Sequence, residues 1–222
     1  MGHSGLRTAR TGSRGSGRGH PIWAYDLNRM ASSIRAGVHD AYSAAAERPS
    51  DSHPFPVGRD FAESVGYSAA LLGSLPGDCV DRFAGVSNIS LLAELPAGVT
   101  VLDLGCGAGL DSLIASRRIS PEGRVVGVDF SQAMLEQARR GARSAGAENV
   151  IFCRADAERL PLRDASIDVA IINGIFNLNP ARECIFRELA RSVRHGGTVY
   201  SAELILLAAL PPEQQDAANW FA

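Results

Sequence analysis

The stretch Val99–Gly109, read as V-T-V-L-D-L-G-C-G-A-G, constrains the fold of this chain more than any other. An apolar, β-branched run from Val99 to Leu104 is long enough for one buried strand. It breaks into Gly105, Gly107 and Gly109 and then enters a helix-like segment, Leu110–Arg118. Strand, glycine turn and helix in that order make the first half of a nucleotide-binding βαβ unit. The glycines let the backbone come close to a ligand where a Cβ would clash. A second apolar strand, Arg124–Val128, ends in Asp129, 24 residues after Gly105. An acidic residue about 20 residues past the glycines is placed to grip a ribose diol.

Asp103 narrows the choice of nucleotide. The dinucleotide form of the turn needs a glycine where Leu110 stands. A carboxylate two residues before the turn also repels a pyrophosphate, which disfavours an NAD-dependent oxidoreductase. The same carboxylate suits a cation such as the ammonium of a methionine moiety. Asp103 with Asp129 therefore points to S-adenosylmethionine.

Four stretches in order carry a family resemblance: V-L-D-L-G-C-G-A-G, V-V-G-V-D-F-S, A-D-A-E-R-L-P-L and V-R-H-G-G-T-V. Over about Ala84–Leu206 the chain resembles the class I S-adenosylmethionine-dependent methyltransferases. Within them it looks most like the arsenite methyltransferase-like group, through Gly66–Tyr67, Phe83–Asn88, Asp111 and Asn173–Pro180. The resemblance implies an α/β, Rossmann-like sheet with an N-terminal helical lid. It implies cofactor contacts from Asp103, Gly105, Cys106, Gly107 and Gly109 at the turn, and from Asp129, Phe130 and Met134 after the second strand. Asp156 and Ala157 would meet the adenine edge, and Asn173 would stand at the end of the fourth strand. A neutral adenine offers donors and acceptors that a carboxylate and a backbone N–H can match. Tyr67, Asn88, Phe176 and Asn177 are the substrate-side candidates. Tyr67 matches a family position near the methyl group, and a half-buried aromatic is an equal alternative.

The rest of the chain divides into three parts. Residues 1–20 are Gly, Ser and Arg with little to bury and read as a disordered tail. Residues 21–95 are expected to form a helical lid or substrate region, and 96–222 the cofactor-binding domain. In the lid region, Ile22–Glu47 has apolar residues at helical spacing after Pro21, a good first-turn residue. His39 on it reads as a surface histidine. Asp60 with Glu63 suggests a capping box, Ser68 opens a short helix over Gly66–Leu75, and Ser87–Leu95 is a further helix.

In the cofactor-binding part, Ser131 caps a helix over Gln132–Ala145, followed by strands over Asn149–Cys153 and Ile167–Asn173. Arg182–Arg194 is a helix, His195-Gly196-Gly197 a turn, and Thr198–Leu207 a fifth strand holding Glu203. A buried charge there needs a partner or a place at the strand's end. Pro211–Ala222 begins another helix. Five parallel strands leave no residues for the final antiparallel pair of the family's sheet. The chain is thus expected to be truncated relative to the family, with an exposed last strand suited to homodimer docking.

Composition limits the partners. Among 222 residues, a net charge of −2 gives no electrostatic case for nucleic acid or an anionic membrane. No apolar run reaches transmembrane length, and the arginines at the start are not followed by the apolar stretch of a secretory signal. Cys79, Cys106, Cys153 and Cys184 lack C-x-x-C spacing, which speaks against a structural zinc and for a reducing cytoplasm.

Methyl transfer from a sulfonium is an in-line displacement in which the protein contributes proximity and alignment. His53, Tyr67 and Asp111 are the only base candidates for an oxygen or nitrogen acceptor. Asp111 suits the methionine end of the cofactor or a cap of the following helix better than a base. The family's arsenic site is built from cysteine thiolates, but Gly174 stands where one is expected, and the loop after the lid helix has none. The main expectation is therefore a small-molecule acceptor. Arsenite methylation and a cofactor-binding but catalytically incomplete regulatory protein are the alternatives.

Overall fold

A computed structural model of the chain describes residues 22–119 and 122–205, with side chains from residue 32 onward. The expected tail and the helix expected over Pro211–Ala222 lie outside the described residues. Thirteen elements are described, beginning with helices α1 (Ile22–Glu47), α2 (Arg59–Ser64), α3 (Ala69–Gly73), α4 (Gly77–Val80) and α5 (Ile89–Leu92). There follow β1 (Thr100–Leu104), α6 (Leu110–Ile119), β2 (Arg124–Asp129), α7 (Gln132–Ser144), β3 (Val150–Arg154), β4 (Ile167–Asn173), α8 (Arg182–Ser192) and β5 (Val193–Ala202).

All five strands are parallel, in the order β3-β2-β1-β4-β5. Strand side chains alternate between faces, so β1 and β4 supply two buried layers at once. Leu102, Leu104, Ala170 and Ile172 pack with Ile185 and Leu189 of α8. Val101, Val169 and Ile171 pack on the other face with Ala115, Ile119 and Ile89. Helices thus cover both faces, the arrangement that lets strand β4 read as a nearly continuous apolar run. Strand order reverses between β1 and β4, and in open α/β sheets that reversal opens a crevice at the strands' carboxyl ends.

Several expected boundaries shift for identifiable reasons. No side chain caps α2, so Asp60 and Glu63 form no capping box. The helix starts instead at Gly58, whose φ of 98° only glycine adopts readily and whose N–H donates to the Phe83 carbonyl at 2.8 Å. Ser68 and Ser131 do cap α3 and α7, accepting from Leu71 N and Met134 N. The helix expected over Ser87–Leu95 is the single turn α5.

Strand β5 begins at Val193, earlier than expected, and takes in His195-Gly196-Gly197 through a register irregularity opposite Ile167 and Val169. A Cβ at Gly197 would lie 2.7 Å from the Asp168 carbonyl oxygen, so the strands can approach there only around glycine. Helix α8 accordingly ends at Ser192 rather than Arg194. Among the described residues β5 pairs only with β4.

Candidate functional site

The crevice at the β1–β4 reversal is the mouth of a cavity of about 600 Å³, within the range of small-molecule sites. Its floor is the glycine turn. Gly105 N and Cys106 N both donate to the Val128 carbonyl, at 2.8 and 3.0 Å, which ties the turn to β2. Gly107 N donates to Asp129 Oδ2 at 2.8 Å, and Ser131 N donates to Asp129 Oδ1 at 2.8 Å. One carboxylate therefore fixes both the turn and the start of α7. Gly105 (φ 77°) faces Ile175, whose Cγ2 would lie 2.4 Å from an added Cβ, whereas the space in front of Gly107 (φ 51°) is open.

Three buried carboxylates stand at this floor. Asp103, Asp111 and Asp129 are 2%, 6% and 7% exposed, and all three line the cavity. Burial raises each pKa above the usual carboxylate value, and the neighbouring Asp111 charge pushes Asp103 further the same way. Ser112 Oγ donates to Asp103 Oδ2 at 2.5 Å. The Tyr67 hydroxyl donates to Asp111 Oδ1, and Asn173 Nδ2 donates to Asp111 Oδ2 at 2.9 Å. A cavity floored by buried carboxylates fits a ligand that brings positive charge and hydroxyl donors. S-Adenosylmethionine, with an ammonium, a sulfonium and a ribose diol, meets that requirement.

The sequence-derived cofactor residues largely converge. Asp103, Gly105, Cys106, Gly107, Asp129, Phe130, Met134, Asp156, Ala157 and Asn173 all line the cavity. Gly109 lies behind it, where an added Cβ would meet Phe152 and Ala138 at 3.0 and 3.1 Å. The four substrate-side candidates are placed elsewhere. Tyr67 is 2% exposed and lies behind Asp111, its ring edge-on to Phe83. Asn88 donates to the Gly66 carbonyl. Phe176 is buried and stacks on Phe186. Asn177 donates its side-chain amide to the Leu204 carbonyl. In each case local packing or a backbone partner holds the side chain away from the cavity wall.

Other residues line the wall unforeseen. Helix α1 presents Arg35, Val38, His39 and Tyr42 to the cavity. The His39 side chain is half exposed, the surface position expected of it, with its ring 5.7 Å from that of Phe130 at the rim. Arg35 pairs with Glu158, which also accepts from Asn179 Nδ2 at 3.0 Å. Three segments are thereby clasped across the opening. The helical spacing of α1 was the available signal for its part of the wall. Phe83 and Gly85 fall in the Phe83–Asn88 stretch already singled out by the resemblance, whereas Cys79 and Arg82 just before it carried no signal.

Glu203 sits just beyond β5. Its Oε1 accepts from Ile175 N and Phe176 N at 3.0 Å each, and its Oε2 from Asn177 N at 3.4 Å. That solves the charge problem posed by the sequence: the carboxylate is at the strand's end and is bonded to backbone donors.

Comparison with known proteins agrees with this geometry. A methyltransferase domain family model matches residues 95–221. An arsenite methyltransferase of Halobacterium salinarum is 36% identical over 154 residues, covering 69% of this chain and 39% of that protein. A demethylmenaquinone methyltransferase of Lactococcus lactis is 33% identical, covering 48% of this chain and 42% of that one. The crystal structure of an arsenic(III) S-adenosylmethionine methyltransferase from Chlamydomonas reinhardtii superposes with a TM-score of 0.59 at 30% identity, covering 65% of this chain and 51% of that one. The chain spans about half or less of the length of each of these relatives. With four matching motifs, a five-stranded parallel sheet and a glycine turn at the strand reversal, the chain belongs to the class I S-adenosylmethionine-dependent methyltransferases and is related to the arsenite methyltransferases.

Proposed function

We propose that this chain binds S-adenosylmethionine in the cavity at the β1–β4 reversal and serves methyl transfer to a small-molecule acceptor. The observation that carries the reading is the convergence of the glycine turn with the buried carboxylates Asp103 and Asp129 on one cavity floor. Asp129 suits the ribose diol, since each of its oxygens retains acceptor capacity beyond one backbone N–H. Asp103 suits the methionyl ammonium. Asp156 and Ala157 suit the adenine edge, and Phe130 and Met134 its ring faces. When bound, the cofactor supplies an already activated methyl group. The residues of the chain bind it, orient it and exclude water.

We propose the division of labour expected from the sequence, with residues 21–95 as the cover of the site and 96–222 as the cofactor-binding part. Among the described residues no helix is long and apolar enough to cross a membrane. The proposed setting is a reducing cytoplasm, supported by four cysteines that are all free thiols. Arsenite is not carried over from the relatives. Cys79 and Cys106 line the cavity, but burial pushes the Cys79 thiol up to about 12 and raises that of Cys106 strongly. Soft-metalloid capture favours accessible thiolates.

The test is calorimetry with S-adenosylmethionine followed by a labelled-methyl screen over thiol, amine, phenol and arsenite acceptors. Cofactor binding with transfer to a small organic acceptor is the expected result. No cofactor binding refutes the reading, and binding without transfer to any acceptor class favours a regulatory domain.

A further inference from the structure

The cavity is not uniformly acidic. Arg82, in the segment after α4, lines the same wall, and its side chain is only 13% exposed. Its Nε donates to the Ala46 carbonyl in the last turn of α1 at 2.6 Å, and its Nη1 to the Asp78 carbonyl at 3.3 Å. The nearest carboxylate is Asp78 Oδ1, at 3.7 Å from Nη1 on a half-exposed side chain. These contacts fix the guanidinium in place and leave Nη2 without an acceptor among the described residues. Every buried side-chain nitrogen and oxygen there has a partner, so Nη2 is open to solvent and not sealed in the core.

The other two arginines of the wall are occupied differently. Arg35 is paired with Glu158, and Arg154 is exposed and donates to the Phe130 carbonyl. Phe83, the next residue after Arg82, belongs to one buried cluster with Leu110, which opens α6 directly after the glycine turn. Arg82 and Asp103 line the same cavity.

We propose that Arg82 takes the carboxylate of the methionyl end of S-adenosylmethionine, so that Arg82 and Asp103 together clamp the zwitterion. This rests on the cofactor reading above. A guanidinium on a cavity wall with N–H groups left unused by the chain is matched to a carboxylate in charge and shape. A tethered guanidinium also loses little freedom when the anion arrives. A carboxylate on the acceptor is the competing source for the same chemistry.

The experiment is calorimetric binding of S-adenosylmethionine and of decarboxylated S-adenosylmethionine, which lacks only that carboxylate, to the wild-type chain, Arg82→Gln and Arg82→Lys. The wild type should bind the intact cofactor about tenfold or more tighter than the decarboxylated one, the scale of a charged hydrogen-bonded pair. In Arg82→Gln that preference should collapse while decarboxylated cofactor binds as in the wild type. Arg82→Lys should fall between.

Equal wild-type affinity for the two ligands overturns the proposal without needing any variant. An unchanged preference in Arg82→Gln overturns it too, and if the acceptor KM rises instead, the guanidinium serves the acceptor. Equal weakening of both ligands in Arg82→Gln assigns Arg82 to the architecture and overturns it as well. A wild type that binds neither ligand removes the cofactor reading itself, a result distinct from all of these.

Discussion

Placing three carboxylates at the floor of one cavity makes stability and ligand affinity depend on pH in opposite directions. Asp103 serves as the worked case. Burial, reinforced by Asp111, pushes its carboxyl up to about 8 in the folded chain, whereas an aspartate in an unfolded chain titrates near 4. Below pH 4 both states hold the proton and the group contributes no slope. As pH rises above 4 the unfolded chain loses its proton while the folded chain keeps it, so stability falls until the folded group ionises near 8. Each proton retained only by the folded state costs roughly 1.4 kcal/mol per pH unit. Between pH 5 and pH 7 one such proton amounts to about 3 kcal/mol.

Asp168 and Glu188 do not mask this slope. Their carboxyls are held low, Asp168 first by Thr100 N–H and then by Arg194, and Glu188 by Arg191, so their stabilising share is complete by pH 5. Ligand binding has the opposite sign: an ammonium seats best on ionised Asp103, so S-adenosylmethionine affinity should rise over the same interval, with proton release. Urea unfolding of the ligand-free chain at pH 5, 6 and 7, beside Asp103→Asn, reads the first effect. Calorimetry in two buffers of different ionisation enthalpy reads the second. A ligand-free chain that grows more stable from pH 5 to 7, or an Asp103→Asn variant with the wild-type slope, would refute the reasoning.

Three substitutions probe the site separately. Asp129→Ala should weaken S-adenosylmethionine by about 1.5–3 kcal/mol through lost charge-assisted hydrogen bonds, and unchanged affinity in a titration would remove its ribose role. Gly107→Val places a branched side chain in the open space before the turn at a φ of 51°, so cofactor binding should be lost; normal affinity would show that this space is not the ligand's. Asn173→Ala removes the acceptor for Val86 N and Ser87 N and the donor to Asp111. A loss of about 2–4 kcal/mol in chemical denaturation is expected from buried groups left unpaired, and a change below 0.5 kcal/mol would mean the segment is held by other contacts.

The sheet was legible because strands covered on both faces leave continuous apolar runs, and Ile167–Asn173 is observed with the expected limits. The turn, Asp129 and Asp156 were legible because ligands gather at strand ends and these residues follow strands directly. What escaped depends on contacts between distant segments. Tyr67 meets Asp111 across 44 residues, and Arg82 meets Ala46 across 36. No local pattern announces either contact. Tyr67 could be placed near the methyl group or in the core by sequence alone, and its hydroxyl bond to Asp111 sets it behind the wall. The start of β5 escaped because His195-Gly196-Gly197 is polar and reads as a turn, while glycine was needed there for strand proximity.

Glu203 has a mechanical consequence. The loop that leaves β4 contributes Ile175 and Leu178 to the cavity wall, yet three of its N–H groups are anchored to a carboxylate that directly follows the outermost strand described. The rim of the ligand chamber is thus fastened from outside, like a flange bolted to the frame beside it. A shift of the β5 end would loosen that rim without touching any residue that faces the ligand.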